Sequence, residues 1–177
     1  MKNIYNPIVI FILGLSLSLA ETIEGHTLPP EPKNPDATLL GVDVNKNGVR
    51  DEVERWIYKT EYYTHSQINK VIAMQEAKFY QMTLVNPNNT DNKVDDALMR
   101  VIDCKRYYEK SRNIPLGKGG RPLSFNLLFQ DKYFNTKERL KTYMNYNYGL
   151  GEIKVYTLTS DDLINFNNCD ENIDLLQ

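Results

Sequence analysis

The sequence predicts an all-α fold of about four main helices, and two observations carry that prediction. Apolar residues recur at spacings of three and four through residues 68–82, 94–108 and 140–147, which places them on one face of a helix. Between these stretches stand helix-stopping clusters, Asn86-Pro87-Asn88-Asn89 and the glycines 149 and 151, where a sheet protein would show alternating runs.

Taken in chain order, residues 1–20 read as a secretory signal peptide. Lys2 supplies the positive start, Ile8 to Leu19 an apolar run, and Ser18-Leu19-Ala20 a small-x-small cleavage site. The run is twelve residues long, short of the ~20 that span a bilayer, so no stable membrane insertion is expected after cleavage. Removing this segment takes one lysine and no carboxylate, leaving 157 residues with 20 basic against 23 acidic side chains. That is enough chain for one domain with a core, and its charge balance excludes nucleic acid as an expected partner. Residues 21–40 hold four of the eight prolines, Pro29, Pro30, Pro32 and Pro35, and read as an extended tether ahead of a single domain over 41–177.

Next comes Asp43-Val44-Asn45-Lys46-Asn47-Gly48-Val49-Arg50-Asp51-Glu52-Val53-Glu54, which fits D-x-[DN]-x-[DN]-G-x5-E at every constrained position. A chain of this length meets that pattern by chance on the order of once in a thousand. Calcium is a hard cation that takes six to eight oxygens at about 2.3–2.6 Å from one short segment. Asp43, Asn45 and Asn47 supply side-chain oxygens at alternate positions, and Gly48 permits the sharp turn after them. Val49 offers its carbonyl, Asp51 a direct or water-bridged contact, and Glu54 both carboxylate oxygens from the following helix. The bland alternative is a polar turn capping a helix at Asp51; it requires neither Asp43 nor an oxygen at position 12. The loop is EF-hand-like but single. Arg50 stands where paired hands carry an apolar residue, Pro32 and Pro35 bar an ordinary incoming helix, and no second copy occurs in the sequence. It looks like the isolated calcium loops of bacterial exported proteins and thrombospondin type 3 repeats.

From Asp51 the pattern is helical, with Val53, Trp56 and Ile57 on one side and Asp51 and Glu52 favourably placed at the helix N-terminus. Ser66 is positioned to cap a second helix carrying Ile68, Val71, Ile72, Gln75, Phe79 and Met82. A third runs from about Asp91 to Ser111, with Val94, Ala97, Leu98, Val101, Ile102 and Tyr108 as its stripe. Leu116 to Pro122 reads as a flexible turn, and Leu123 to Phe129 as a short strand or, preferentially, a helical turn. Thr136 caps the fourth helix, Lys137 to about Tyr148, with Leu140, Tyr143, Met144 and Asn147 on one side. Ile153 to Leu158 is a candidate extended segment, and an acidic, Asn-rich tail follows. Export places Cys104 and Cys169 in an oxidising compartment, so a disulfide is expected, stapling the tail to the third helix.

Gly48-Val49-Arg50-Asp51-Glu52-Val53-Glu54 resembles the NGVRDDVE-type run of a group of uncharacterised bacterial exported proteins of similar size. Asn135-Thr136-Lys137-Glu138-Arg139, followed by Tyr143 and Asn145-Tyr146-Asn147, is similar to their second, NT-x-ER signature, and a late cysteine such as Cys169 belongs to the same pattern. The resemblance implies export to the periplasm or beyond, a helical fold and one calcium loop. It implies no catalytic residues.

Other chemistry finds little support. Gly117-Lys118-Gly119-Gly120 lacks the spacing of a phosphate loop, and His26 and His65 lie in the tether and at a helix junction. Asp95-Asp96 and Asp161-Asp162 have the look of acid–base pairs, yet adjacent helical residues diverge by about 100°, so a solvated face is the better reading. The eleven tyrosines after residue 20 suit a core boundary or a binding face. The expectation is therefore an exported calcium-binding module, structural or interactive, with an unknown protein or polysaccharide partner. The competing class is a secreted or periplasmic enzyme or toxin whose active site is assembled from distant residues.

Overall fold

The computed structural model describes residues 21–23, 25–60, 67–113, 127–149 and 168–176. The expected signal peptide, the Ser66 cap, His65, the Leu116–Pro122 turn, the Ile153–Leu158 segment and Asp161-Asp162 lie outside the described residues. The architecture is mostly helical, with one two-stranded sheet. Strands β1 (Glu21–Ile23) and β2 (His26–Leu28) pair antiparallel with Glu21 opposite Leu28, around Gly25 at φ +81°. Helices α1 (Asp51–Lys59), α2 (Gln67–Val85), α3 (Lys93–Ser111), α4 (Leu127–Tyr133) and α5 (Lys137–Gly149) follow, and a 3₁₀ turn at Ile173–Leu175 closes the described chain.

α2 is the central element, packing on α1, α3 and α5. Surrounded on several sides, it buries residues around much of its circumference, from Ile68 and Ile72 to Phe79, Tyr80, Thr83 and Leu84. Tyr80, fully buried, lies within ring-contact distance of Phe129, Tyr133, Phe134 and Tyr143. This aromatic cluster joins α4 and α5 to α2, and Val49, Val53 and Ile57 bring α1 into the same core. The first helix starts at Asp51 and the second and third start and stop close to where punctuation in the sequence placed them; of Leu123 to Phe129, residues 127–129 open a helix over 127–133 and residues 123–126 lie outside the described residues.

Within the stretch read as a tether, residues 21–23 pair with 26–28, and the chain after them is hydrogen-bonded to α1 and α5. On α5 the inward face is Arg139, Tyr143 and Tyr146; Leu140 and Met144, expected to face the core, are 47% and 60% exposed. Residues 139, 143 and 146 obey the helical spacing as well as the apolar set does. They win because the buried Arg139 and Tyr146 side chains have polar partners to reach.

The tail lies over α2 and α3. A disulfide joins Cys104 to Cys169 across 65 residues of sequence. Around it Gln75 bonds the Asn168 carbonyl at 2.9 Å and receives the Asp170 amide at 3.1 Å, while Lys78 and Arg100 both pair with Asp170. Ile173 completes a small second core with Ile68, Ile72 and Cys104. No helix among the described residues is long and apolar enough to cross a membrane.

Candidate functional site: the loop of residues 43–54

The loop begins and ends where the backbone forces it to. The Asp51 amide donates to the Val42 carbonyl at 2.8 Å, closing the base of the turn as α1 starts. Within it Lys46 and Gly48 both take positive φ, +56° and +84°. Side-chain oxygens hold this unusual path. Asp43 accepts the Asn47 amide through Oδ1 at 3.2 Å and the Gly48 amide through Oδ2 at 3.0 Å. Asn45 Oδ1 accepts the Asn47 amide at 3.2 Å, and Asn47 Oδ1 the Val49 amide at 2.9 Å. The oxygens at loop positions 1, 3 and 5 thus all turn toward the loop's own backbone, as alternation around a glycine turn predicts.

Glu54, at position 12, is fully buried and reaches back across the loop: its Oε2 accepts from Asn45 Nδ2 at 3.0 Å. Its Oε1 turns the other way, 2.6 Å from His26 Nε2 in β2. An ionised carboxylate has only acceptors, so the histidine nitrogen donates. Asp51 is also buried and takes the Val44 amide on both oxygens, at 3.0 and 3.3 Å. Burial raises its pKa above the usual carboxylate value against the Val44 hydrogen bond, and the charges of Asp43, Glu54 and Glu52 push it further up. Four acidic side chains, Asp43, Asp51, Glu52 and Glu54, therefore gather around a single turn. Among the described residues no three His, Cys, Asp or Glu side chains stand together closely enough to hold a metal ion by themselves. Half of the six predicted donors are of other kinds: the amides of Asn45 and Asn47 and the carbonyl of Val49. The donor set is all oxygen, which suits calcium or magnesium and disfavours softer ions.

The loop is held from behind by two buried arginines. Arg50 is fully buried; its Nη2 donates to the Tyr133 carbonyl and its guanidinium lies 4.5 Å from the centre of the Tyr133 ring. This is why position 8 is not apolar: it faces inward to α4 instead of pairing with a second loop. Burial pulls the Arg50 pKa down, which the nearby Glu52 charge opposes.

Arg139 fastens the chain entering the loop. Its Nε donates to the Leu39 carbonyl at 3.0 Å, and Nη2 to the Pro35 and Thr38 carbonyls at 2.8 and 3.1 Å. Nη1 meets Asp36 Oδ1 at 2.5 Å and Asn135 Oδ1 at 2.6 Å, while Asn135 Nδ2 donates to the same Asp36 oxygen at 3.0 Å. Thr136 caps α5 by accepting the Arg139 amide at 3.2 Å. The hairpin is fixed to α1 in parallel, with Arg55 donating to the Pro29 carbonyl and to Glu21, and Lys59 pairing with Glu21.

Sequence reasoning found the loop but missed His26, Arg50 and Arg139 as its supports. Asn135 to Arg139 had been singled out as a motif without a role, and Arg50 as an anomaly; both were usable signals. His26, in a proline-rich stretch, carried none. The Asp95-Asp96 pair diverges as expected: Asp95 accepts from Tyr146 at 3.1 Å and Asp96 is exposed. A cavity of about 630 Å³ opens beside the loop, bordered by Asp43, Gly48, Lys78, Met82, Val85 and Lys93. Its described lining includes no histidine and no cysteine. Compared with protein-family profiles, curated proteins and solved structures, the chain finds no match in any of the three.

Proposed function

We propose that this protein is an exported calcium-binding module in which one EF-hand-like loop, residues 43–54, stabilises a helical structural or interaction domain, without catalytic residues. The observation that carries the reading is Glu54: fully buried, it extends from α1 back to Asn45, so positions 12 and 3 of the spacing meet across the turn. A carboxylate so placed, beside an Asp51 whose proton affinity is raised by burial and by the charges of Asp43 and Glu54, is the charge arrangement a divalent cation relieves. The disulfide is compatible with a periplasmic or secreted location. Membership of the exported family that Gly48 to Glu54 and Asn135 to Arg139 resemble belongs to the same proposal. The cation's role is to clamp: a lone loop has no partner hand to open, and a switch needs two states of different affinity.

Calorimetric titration of the mature protein tests this. One calcium is expected per chain, with a Kd of about 10⁻⁵–10⁻³ M, toward the extracellular range. Asn45→Ala should weaken binding moderately and Glu54→Gln strongly. An unchanged affinity in Glu54→Gln would sink the assignment.

A further inference from the structure

The two oxygens of Glu54 have separate destinations. Oε2 faces Asn45 in the loop at 3.0 Å, whereas Oε1 is held by His26 Nε2 at 2.6 Å. His26 is not loosely placed. Its ring stacks on Tyr58 of α1, centroids 4.1 Å apart and 5° from parallel. Its strand ends at Leu28, which is 1% exposed, and the hairpin is pinned to α1 through Glu21, Arg55 and Lys59. The donor is therefore fixed by packing on one side and by ion pairs on the other. A cation chelated by both Glu54 oxygens would sit beside the positive end of the Nε2–H dipole, which already points at Oε1. Oε2 also accepts an N–H, but from Asn45, whose amide can turn over to present its own Oδ1 to a cation, whereas the stacked His26 ring has no such freedom, so the cation is favoured on Oε2.

We infer that His26 is a positioning residue for the cation loop, occupying one oxygen of Glu54 so that position 12 contributes a single metal-facing oxygen. The inference rests on the calcium reading of residues 43–54. Its consequence is selectivity. With one oxygen from each of the six positions the shell has six donors, a number magnesium accepts; a bidentate position 12 would add a seventh and favour the larger calcium ion. The N-terminal hairpin thereby sets which hard cation the loop prefers.

The test compares calcium and magnesium affinities by calorimetry for the wild type, His26→Ala and His26→Gln in the same buffer. In the wild type, magnesium at millimolar concentration should compete with calcium. His26→Ala, which frees Oε1, should raise the calcium-over-magnesium affinity ratio about tenfold, equivalent to ~1.4 kcal/mol. His26→Gln keeps an N–H donor at a similar reach and should hold the ratio near that of the wild type. General loosening of the hairpin would weaken both ions together and leave the ratio unmoved. A ratio within twofold of wild type in folded His26→Ala overturns the inference while leaving the calcium site intact. Wild-type protein that binds calcium but ignores magnesium overturns it too, even if His26→Ala does not fold. Wild-type protein that binds neither ion removes the calcium reading and this inference together.

Discussion

Gly41 shows how tightly the loop's approach is packed. It adopts φ +69°, and a Cβ there would stand 2.5 Å from Arg50 Cδ and 3.1 Å from Arg139 Nη2. Both the backbone and the space require glycine. Gly41→Ala is expected to cost about 1–3 kcal/mol of stability in urea denaturation, combining left-handed strain with displacement of a buried arginine. Arg139 contributes on the same scale, because removing it takes a donor from the Pro35, Thr38 and Leu39 carbonyls together. Arg139→Ala should cost about 1–3 kcal/mol, as for removal of a buried donor from several hydrogen-bonded acceptors. Arg139→Lys should recover only a fraction, since an ammonium cannot reach acceptors on five different residues. Asp51 contributes one component of the pH dependence. Its proton affinity is raised in the folded, metal-free protein, so its contribution to stability is full below the unfolded carboxylate pKa and is lost as pH rises through the folded one. Without calcium, Asp51→Asn should therefore gain on the wild type as pH rises from about 4 to 7, a difference measurable by parallel denaturation series. Calcium should reverse that order.

At the level of elements, helix positions were legible and their inward faces less so. Asn86-Pro87 and Thr136 are local stop and start chemistry, readable without knowing the fold. Which residues of α5 point inward was not, because hydrophobicity alone favours Leu140 and Met144 over Arg139. A buried arginine is recognisable only from acceptors that lie about 100 residues away, in the segment before the loop. The hairpin escaped notice for a related reason. Three-residue strands carry almost no periodic signal, and proline-rich composition suggested a tether. The loop was legible because all of its chemistry lies within twelve consecutive residues; its supports were not, because they come from β2, α4 and α5.

The described part of the molecule is fastened near both of its ends. The hairpin and the segment before the loop are pinned to α1 and α5, and the tail is pinned to α2 and α3 through Cys104–Cys169. Closing 65 residues by a disulfide contributes at most about 4 kcal/mol in the chain-entropy model. Reduction should lower the melting temperature, and native protein should show no reactive thiol. Labelling of both cysteines without reductant would contradict the pairing. Calcium bound at the proposed site would add to this by linkage: at about 100 times its Kd it would contribute about 2.7 kcal/mol. The two devices act on different parts of the chain, so each should be removable without the other.

The most direct test of the clamp is amide hydrogen exchange in calcium and in chelator. Removing calcium should first lose protection over residues 43–57, where the proposed ligands and the start of α1 lie, while the α3 and α5 amides around Val101 and Leu140 stay protected. Protection lost equally across all helices, or lost nowhere, would contradict a local calcium clamp.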